Sequence, residues 1–288
     1  MNDITSPVTD GPSAPGWLAG IWQRQEILLP DGTSDRTTRV FWGQTHTLFV
    51  DIRIPADRPP GEGRTSFADY SVAELRKFAE QKGFAGHVAV EGNVCRWIRY
   101  TDYWPNNGRP DVGRLRLDGD TLYEEGDPTS VLGSAYRETY ARVGRADRRS
   151  VALQRTGSTG QAQSGLKSDD GVLVIIGERF FCARSRAIEL PPAETLKDLV
   201  VAAADDRALI YAYLDCEVSY GRIDDQIPWQ VELSTVPFRE QSRLRGMGTV
   251  RAAANADCIV MSGQDEDETW QIVESSVRRE ELIAMMNQ

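Results

Sequence analysis

The 288-residue chain reads as a mainly β protein made of two consecutive antiparallel β-barrels, each with one inserted helix, and a short C-terminal helix. Three observations predict this class. Short runs rich in Val, Ile, Phe, Trp and Tyr alternate with Gly, Pro, Asn and Asp turn signals. The order strand, strand, strand, Pro-rich loop, helix, strands occurs once from residue 17 and again from residue 150. Each half holds about eight strands, and a meander of that size hides its edges best by closing on itself.

Residues 1–16 are rich in Ser, Thr, Asp, Gly and Pro and lack the apolar stretch of a secretory leader, so a disordered lead-in is expected. The first unit is assigned to 17–148. Residues 22–29 form a strand that ends at the turn Pro30-Asp31-Gly32, and 37–42 form the next. Residues 46–54 are the third strand, closed by Pro55. Alternation puts Leu48, Val50, Ile52 and Ile54 on one face and Phe49, Asp51 and Arg53 on the other. After a loop holding Pro59, Pro60, Gly61 and Gly63, Ser71 and Glu74 make a capping box for a helix over 72–81, which Gly83 ends. Strands follow at 84–90, 93–103, 112–117, 121–125 and 136–143.

The second unit is assigned to 149–288. A strand at 151–155 is followed by a Gly-, Ser- and Gln-rich stretch, 156–171, read as an elongated hairpin loop. Strands at 171–176 and 179–186 lead to Pro191-Pro192 and a helix over 193–204. Further strands are expected at 208–220, 229–235, 249–254, 258–261 and 269–275, and an amphipathic helix at 277–286. The hairpin at Asp118-Gly119-Asp120 ahead of Tyr136 matches Asn255-Ala256-Asp257 ahead of Glu268.

Lys+Arg number 33 against Asp+Glu 43, a net charge of −10, which opposes nucleic acid and anionic membranes. The densest basic stretch, Arg142, Arg145, Arg148 and Arg149 with Asp147 among them, reads as a solvated connection between units. No run reaches the ~18–20 apolar residues of a membrane helix, and the cytoplasm is the simplest location. Cys95, Cys182, Cys216 and Cys258 lie far apart in apolar runs and are expected to be buried and reduced. No Gly-x-Gly-x-x-Gly opens a helix and no Walker sequence occurs, so no cofactor is expected. The two histidines, His46 and His87, are too few for a three-His metal site, and no metal is expected.

Topology and the tripeptide Gly20-Ile21-Trp22 together make residues 17–276 similar to the lipocalin-like (calycin) class, in its duplicated two-barrel form. The tripeptide resembles the Gly-x-Trp near a lipocalin's N-terminus. The resemblance implies a cup for one small ligand and carries over no catalytic residue.

Alternation also groups the candidate site. Cys95, Trp97 and Arg99 share a face of one strand, and Tyr136, Glu138 and Tyr140 share a face of another. Beside Phe49, Asp51 and Arg53, three strands each mix aromatic rings with charge. If these faces point inward, the first barrel holds an aromatic cavity with two acids and two arginines paired within it. If outward, they are ordinary cross-strand surface pairs. Both orientations stand for the Asp51 face, while Trp97 and Cys95 favour burial of theirs.

The acid–base and charged candidates are therefore Asp51, Arg53, His87, Arg99 and Glu138, and the ligand-contacting candidates Phe49, Trp97, Tyr136 and Tyr140. The second unit offers Arg184, Asp215, Glu217, Tyr220 and Trp229 on more apolar strands and is expected to be a packing partner. Three functions fit: binding a small, largely apolar molecule bearing a carboxylate or carbonyl; a cofactor-independent lyase, isomerase or cyclase in the same cavity; or a structural or interaction role. A homodimer is the protein assembly left open.

Overall fold

A computed structural model describes residues 13–130, 135–146, 149–158, 171–224, 226–263 and 267–288. Residues 1–12 of the lead-in expected over 1–16, the loop over 159–170, Asp147 and Arg148 lie outside the described residues, whereas Ala14 is ordered against the barrel, buried and donating its amide to the His46 carbonyl at 2.7 Å.

Strands β1 (Gly20–Leu28), β2 (Ser34–Asp35), β3 (Arg39–Gln44) and β4 (Phe49–Ile54) precede helix α1 (Val72–Phe78). Strands β5 (Lys82–Glu91), β6 (Val94–Asp102), β7 (Asp111–Asp118), β8 (Thr121–Gly126) and β9 (Tyr136–Arg145) follow it. The sheet runs β1-β3-β4-β5-β6-β7-β8-β9, all antiparallel, and β9 pairs back onto β1 from Gly20↔Arg145 to Leu28↔Arg137. Eight strands thus close into a barrel, with the two-residue β2 added beside β1.

The capping box forms: Ser71 Oγ accepts from the Glu74 amide, and Glu74 accepts from the Ser71 amide. The helix stops at Phe78, so Gly83 does not end it. Gly83 stands within β5 opposite Ile52, where an added Cβ would come 2.8 Å from Val218. The glycine answers to close approach of the second sheet.

The second half comprises β10 (Ser150–Ser158), β11 (Gly171–Ile176), β12 (Arg179–Arg184), α2 (Leu196–Ala202), α3 (Arg207–Leu214), β13 (Glu217–Arg222) and β14 (Gln230–Ser234). It ends with β15 (Val250–Ala252), β16 (Cys258–Ser262), β17 (Asp267–Ser275) and α4 (Arg279–Met286). Its order is β14-β13-β12-β11-β10-β17-β16-β15, and among the described residues β14 and β15 do not pair. A second closed barrel is therefore not established. Two helices stand where one was expected, because residues 207–214 are helical. Asp206 caps the Leu209 amide, and Ile210, Tyr213 and Leu214 recur at helical spacing onto one buried face.

The outer face of β4 decides how the halves meet. Val50, Ile52 and Ile54 pack outward against Val172, Val174, Phe181 and Val218 of the second sheet. Burying each such side chain contributes about 1.5–3 kcal/mol. At Gly43 an added Cβ would fall 2.5 Å from the Phe181 ring. The three helices α1 to α3 share a cluster with Tyr70, Phe78 and Tyr103 beside the sheets. The inner side of the second sheet is filled by Phe180, Trp229 and Trp270, with Leu282 and Met286 of α4 in the same cluster.

Arg142 is not a solvated link. Its guanidinium lies 4.1 Å from the Trp22 ring centre and donates to the carbonyls of Trp17 and Ala19. All four cysteines are unpaired and buried. No helix among the described residues is long and apolar enough to cross a membrane.

Candidate functional site

Because the apolar face of β4 is turned toward the second sheet, alternation turns Asp51 and Arg53 into the barrel. Charges there must find partners inside. Glu138 is fully buried and accepts from Arg24 Nη1 at 2.5 Å, from Arg53 Nη1 at 3.0 Å and from the Tyr140 hydroxyl. Arg53 also donates to Asp51 through Nε at 2.8 Å. Burial works to raise the Glu138 carboxyl, but Arg53 and Arg24 outweigh it and hold it lowered. Asp51 is raised, because burial outweighs its single strong partner Arg53.

A second ion cluster sits on β6 and β7. Arg99 donates to Asp102 at 2.7 Å and to Asp111, and its guanidinium lies 3.7 Å from the Phe84 ring centre. On β8, Glu124 stands directly across from Glu138 and accepts from the Tyr136 hydroxyl at 2.7 Å. Burial, and next the Glu138 charge, push its carboxyl up to about 8. Both causes favour the protonated form of Glu124.

These groups surround a cavity of about 420 Å³ in the first barrel. Trp42, Phe84, Trp97, Trp104, Tyr136 and Tyr140 supply its aromatic wall. The loop after β6, including Asn106 and Arg109, contributes to the lining, as do Arg186, Ile188 and Leu190 from the second half. Arg186 ties the two together by donating to the carbonyls of Asp102 and Tyr103.

Of the residues singled out in the sequence, Asp51, Arg53, Trp97, Arg99, Tyr136 and Tyr140 line this cavity. Glu138 backs it through Arg53. Phe49 is buried beside Phe84, edge to face at 6.0 Å, and does not line the space. His87 is not brought to it. It neighbours the inward Val88 on β5, so it faces outward, where Nδ1 and the Tyr100 hydroxyl are 2.6 Å apart. His46 is exposed in the turn between β3 and β4.

Sequence reasoning missed Trp42, Lys82, Phe84 and Glu124. Lys82 and Phe84 share a face of β5, a pattern hidden by reading Gly83 as a helix end. The Lys82 Nζ lies 4.3 Å from the Trp104 ring centre. Burial, and next the charge of Arg53, lower its ammonium to about 8. Among the described residues no group of three or more His, Cys, Asp or Glu is placed to hold a metal ion.

The second sheet carries a matching ion cluster. Arg184 donates to Glu268 at 2.6 Å, Arg155 lies 3.4 Å from the same carboxylate, and Trp270 Nε1 donates to it at 3.1 Å. Arg24 pairs Tyr140 and Arg155 pairs Trp270, each beside a register shift between the first and last strands of its sheet.

The fold and site define a closed antiparallel β-barrel protein with an aromatic internal cavity. No family model and no curated protein matches the chain. Among solved structures it is similar to a lipocalin-like protein from Bacteroides uniformis, at 17% identity over 43% of this chain and 97% of that chain, with a TM-score of 0.29. The barrel assignment rests on the strand pairing itself.

Proposed function

We propose that the first barrel binds a small, largely apolar molecule carrying a carbonyl or carboxylate head. The carrying observation is the contrast between the halves: the first barrel keeps an aromatic-walled space of about 420 Å³, and the inner side of the second sheet is filled by Trp229, Trp270 and side chains of α4. That volume lies within the range of small-ligand pockets, roughly 300–1,000 Å³. Arg53 and Arg99 are each held by two carboxylates, so they set the field of the pocket; Arg186 is bonded to backbone carbonyls, Arg109 lies 3.7 Å from Glu194, and Lys82 is a lining cation to which no described residue gives a hydrogen bond or an ion pair.

An acid–base lyase or isomerase draws less support, since His87 and Glu138 lie outside the lining and Asp51, which is in it, is tied to Arg53. A purely structural role leaves the cavity without a purpose. We also infer that the chain is a duplicated lipocalin-like protein, on the strength of the paired clusters Arg24–Glu138–Arg53 and Arg155–Glu268–Arg184 at equivalent register positions.

The test is native mass spectrometry of freshly purified protein, then a thermal-shift screen of small aromatic and aliphatic acids, aldehydes and ketones. Ligand at a hundred times its dissociation constant stabilises by about 2.7 kcal/mol. A hit weakened about tenfold by Trp97→Leu supports the reading, since an aromatic contact is worth ~0.5–1.5 kcal/mol beyond its area. A hit indifferent to Trp97→Leu and to Phe84→Leu sinks it.

A further inference from the structure

We propose that the Lys82 amine is the attachment point for the ligand, forming a reversible imine with a small aldehyde or ketone inside the first barrel. This rests on the binding reading above and names the chemical class that the site takes.

The chain holds only four lysines, Lys77, Lys82, Lys167 and Lys197, against 29 arginines. Lys167 lies outside the described residues. Lys77 bonds Asp57 at 2.5 Å and Lys197 bonds Glu80 at 2.7 Å, both pairs at the surface. Lys82 is the one described lysine in the cavity lining. No described residue gives its ammonium a hydrogen bond or an ion pair; its one close partner is the face of Trp104.

Its neighbours sharpen the point. Arg53 is its direct cross-strand partner and Arg99 lines the same space, and the Asp51, Asp102 and Asp111 carboxylates of the lining are committed to those two guanidinium groups. A chain that uses arginine for nearly every structural ion pair keeps here the one cation able to give up its proton. A desolvated lysine beside other cations is how proteins expose a neutral, nucleophilic amine. The lowered ammonium value accords with that placement.

The step balances without an added reagent. The Nζ lone pair attacks the carbonyl carbon, and the C=O π pair moves to oxygen, giving a carbinolamine after proton transfer from nitrogen. The hydroxyl takes a proton and leaves as water while the nitrogen lone pair forms C=N. Overall, an ammonium and a carbonyl become a protonated imine and water.

The experiment treats the full chain with cinnamaldehyde and sodium cyanoborohydride, which delivers hydride to the imine carbon, and maps the alkylated residues by mass spectrometry. Trp fluorescence is titrated in parallel with cinnamaldehyde, cinnamyl alcohol and cinnamate. The expected result is labelling at Lys82 ahead of Lys77 and Lys197, rising as pH passes about 8, slowed by cinnamyl alcohol and lost in Lys82→Arg. Saturable quenching by all three compounds with Lys82 labelled no faster than the surface lysines overturns the imine and leaves the cavity reading standing. Tight cinnamate binding lost in Lys82→Gln, without aldehyde labelling, overturns the imine in favour of a carboxylate site. No saturable quenching and no labelling at Lys82 removes both readings.

Discussion

Glu138 accepts from Arg24, Arg53 and Tyr140 while fully buried, so removing its charge leaves Arg24 with only Asp35 at 3.3 Å and Arg53 with only Asp51 as carboxylate partners. Breaking a buried pair from one side costs about 3–5 kcal/mol. Glu138→Gln should show that loss in urea unfolding at neutral pH. Glu124 behaves differently, because its folded state prefers the proton. Its carboxyl stands raised above the ordinary 4.5, so the stability it contributes is complete below that value and declines as pH climbs through about 8. Urea unfolding across this window should give a falling stability whose slope is reduced in Glu124→Gln. The pairing of Asp51 with Arg53 was legible in the sequence, since strand alternation fixes which side chains share a face. Which way that face points was not, because apolar residues alternating with charges read the same on a surface strand. Lys82 was hidden for a local reason: a glycine one residue on looks like a helix stop.

Strand β4 is buried on both sides, charged toward the barrel and apolar toward the second sheet, and the glycines beside it set how closely the sheets approach. A Cβ at Gly43 would fall 2.5 Å from the Phe181 ring. Gly43→Ala should therefore cost about 1–3 kcal/mol by overpacking. Combined with Phe181→Leu, the loss should be smaller than the sum of the two single changes, as expected of residues sharing one contact. Denaturant unfolding of the four proteins in the cycle checks this, and strict additivity would count against the contact. Helix α1 was legible because Ser71 and Glu74 form a reciprocal cap. Helix α3 was not, since Leu209, Ile210 and Tyr211 suit a strand as well, and its helical face exists only against α1 and α2.

At the scale of the whole molecule, two sheets of like connectivity reach different ends. The first closes and keeps a cavity; in the second, among the described residues, β14 and β15 do not pair, and α4 packs against its inner side. Leu282→Ala removes a fully buried side chain from that filling and should cost about 2–5 kcal/mol, with ligand affinity in the first barrel unchanged. The order of strands and turns was readable in the first half and, apart from the helix over 207–214, in the second. Closure was expected of both sheets from the need to hide edges and holds for the first; that it is not established for the second was hidden, because the partner of a sheet's last strand is a long-range fact that no local pattern carries. The central claim is that the first barrel keeps a space for a ligand. A crystal structure of the freshly purified protein tests it most directly. The prediction is density for a compound, or a standing cavity, between Phe84, Trp97 and Lys82; Trp97 and Trp104 collapsed into that space would contradict it.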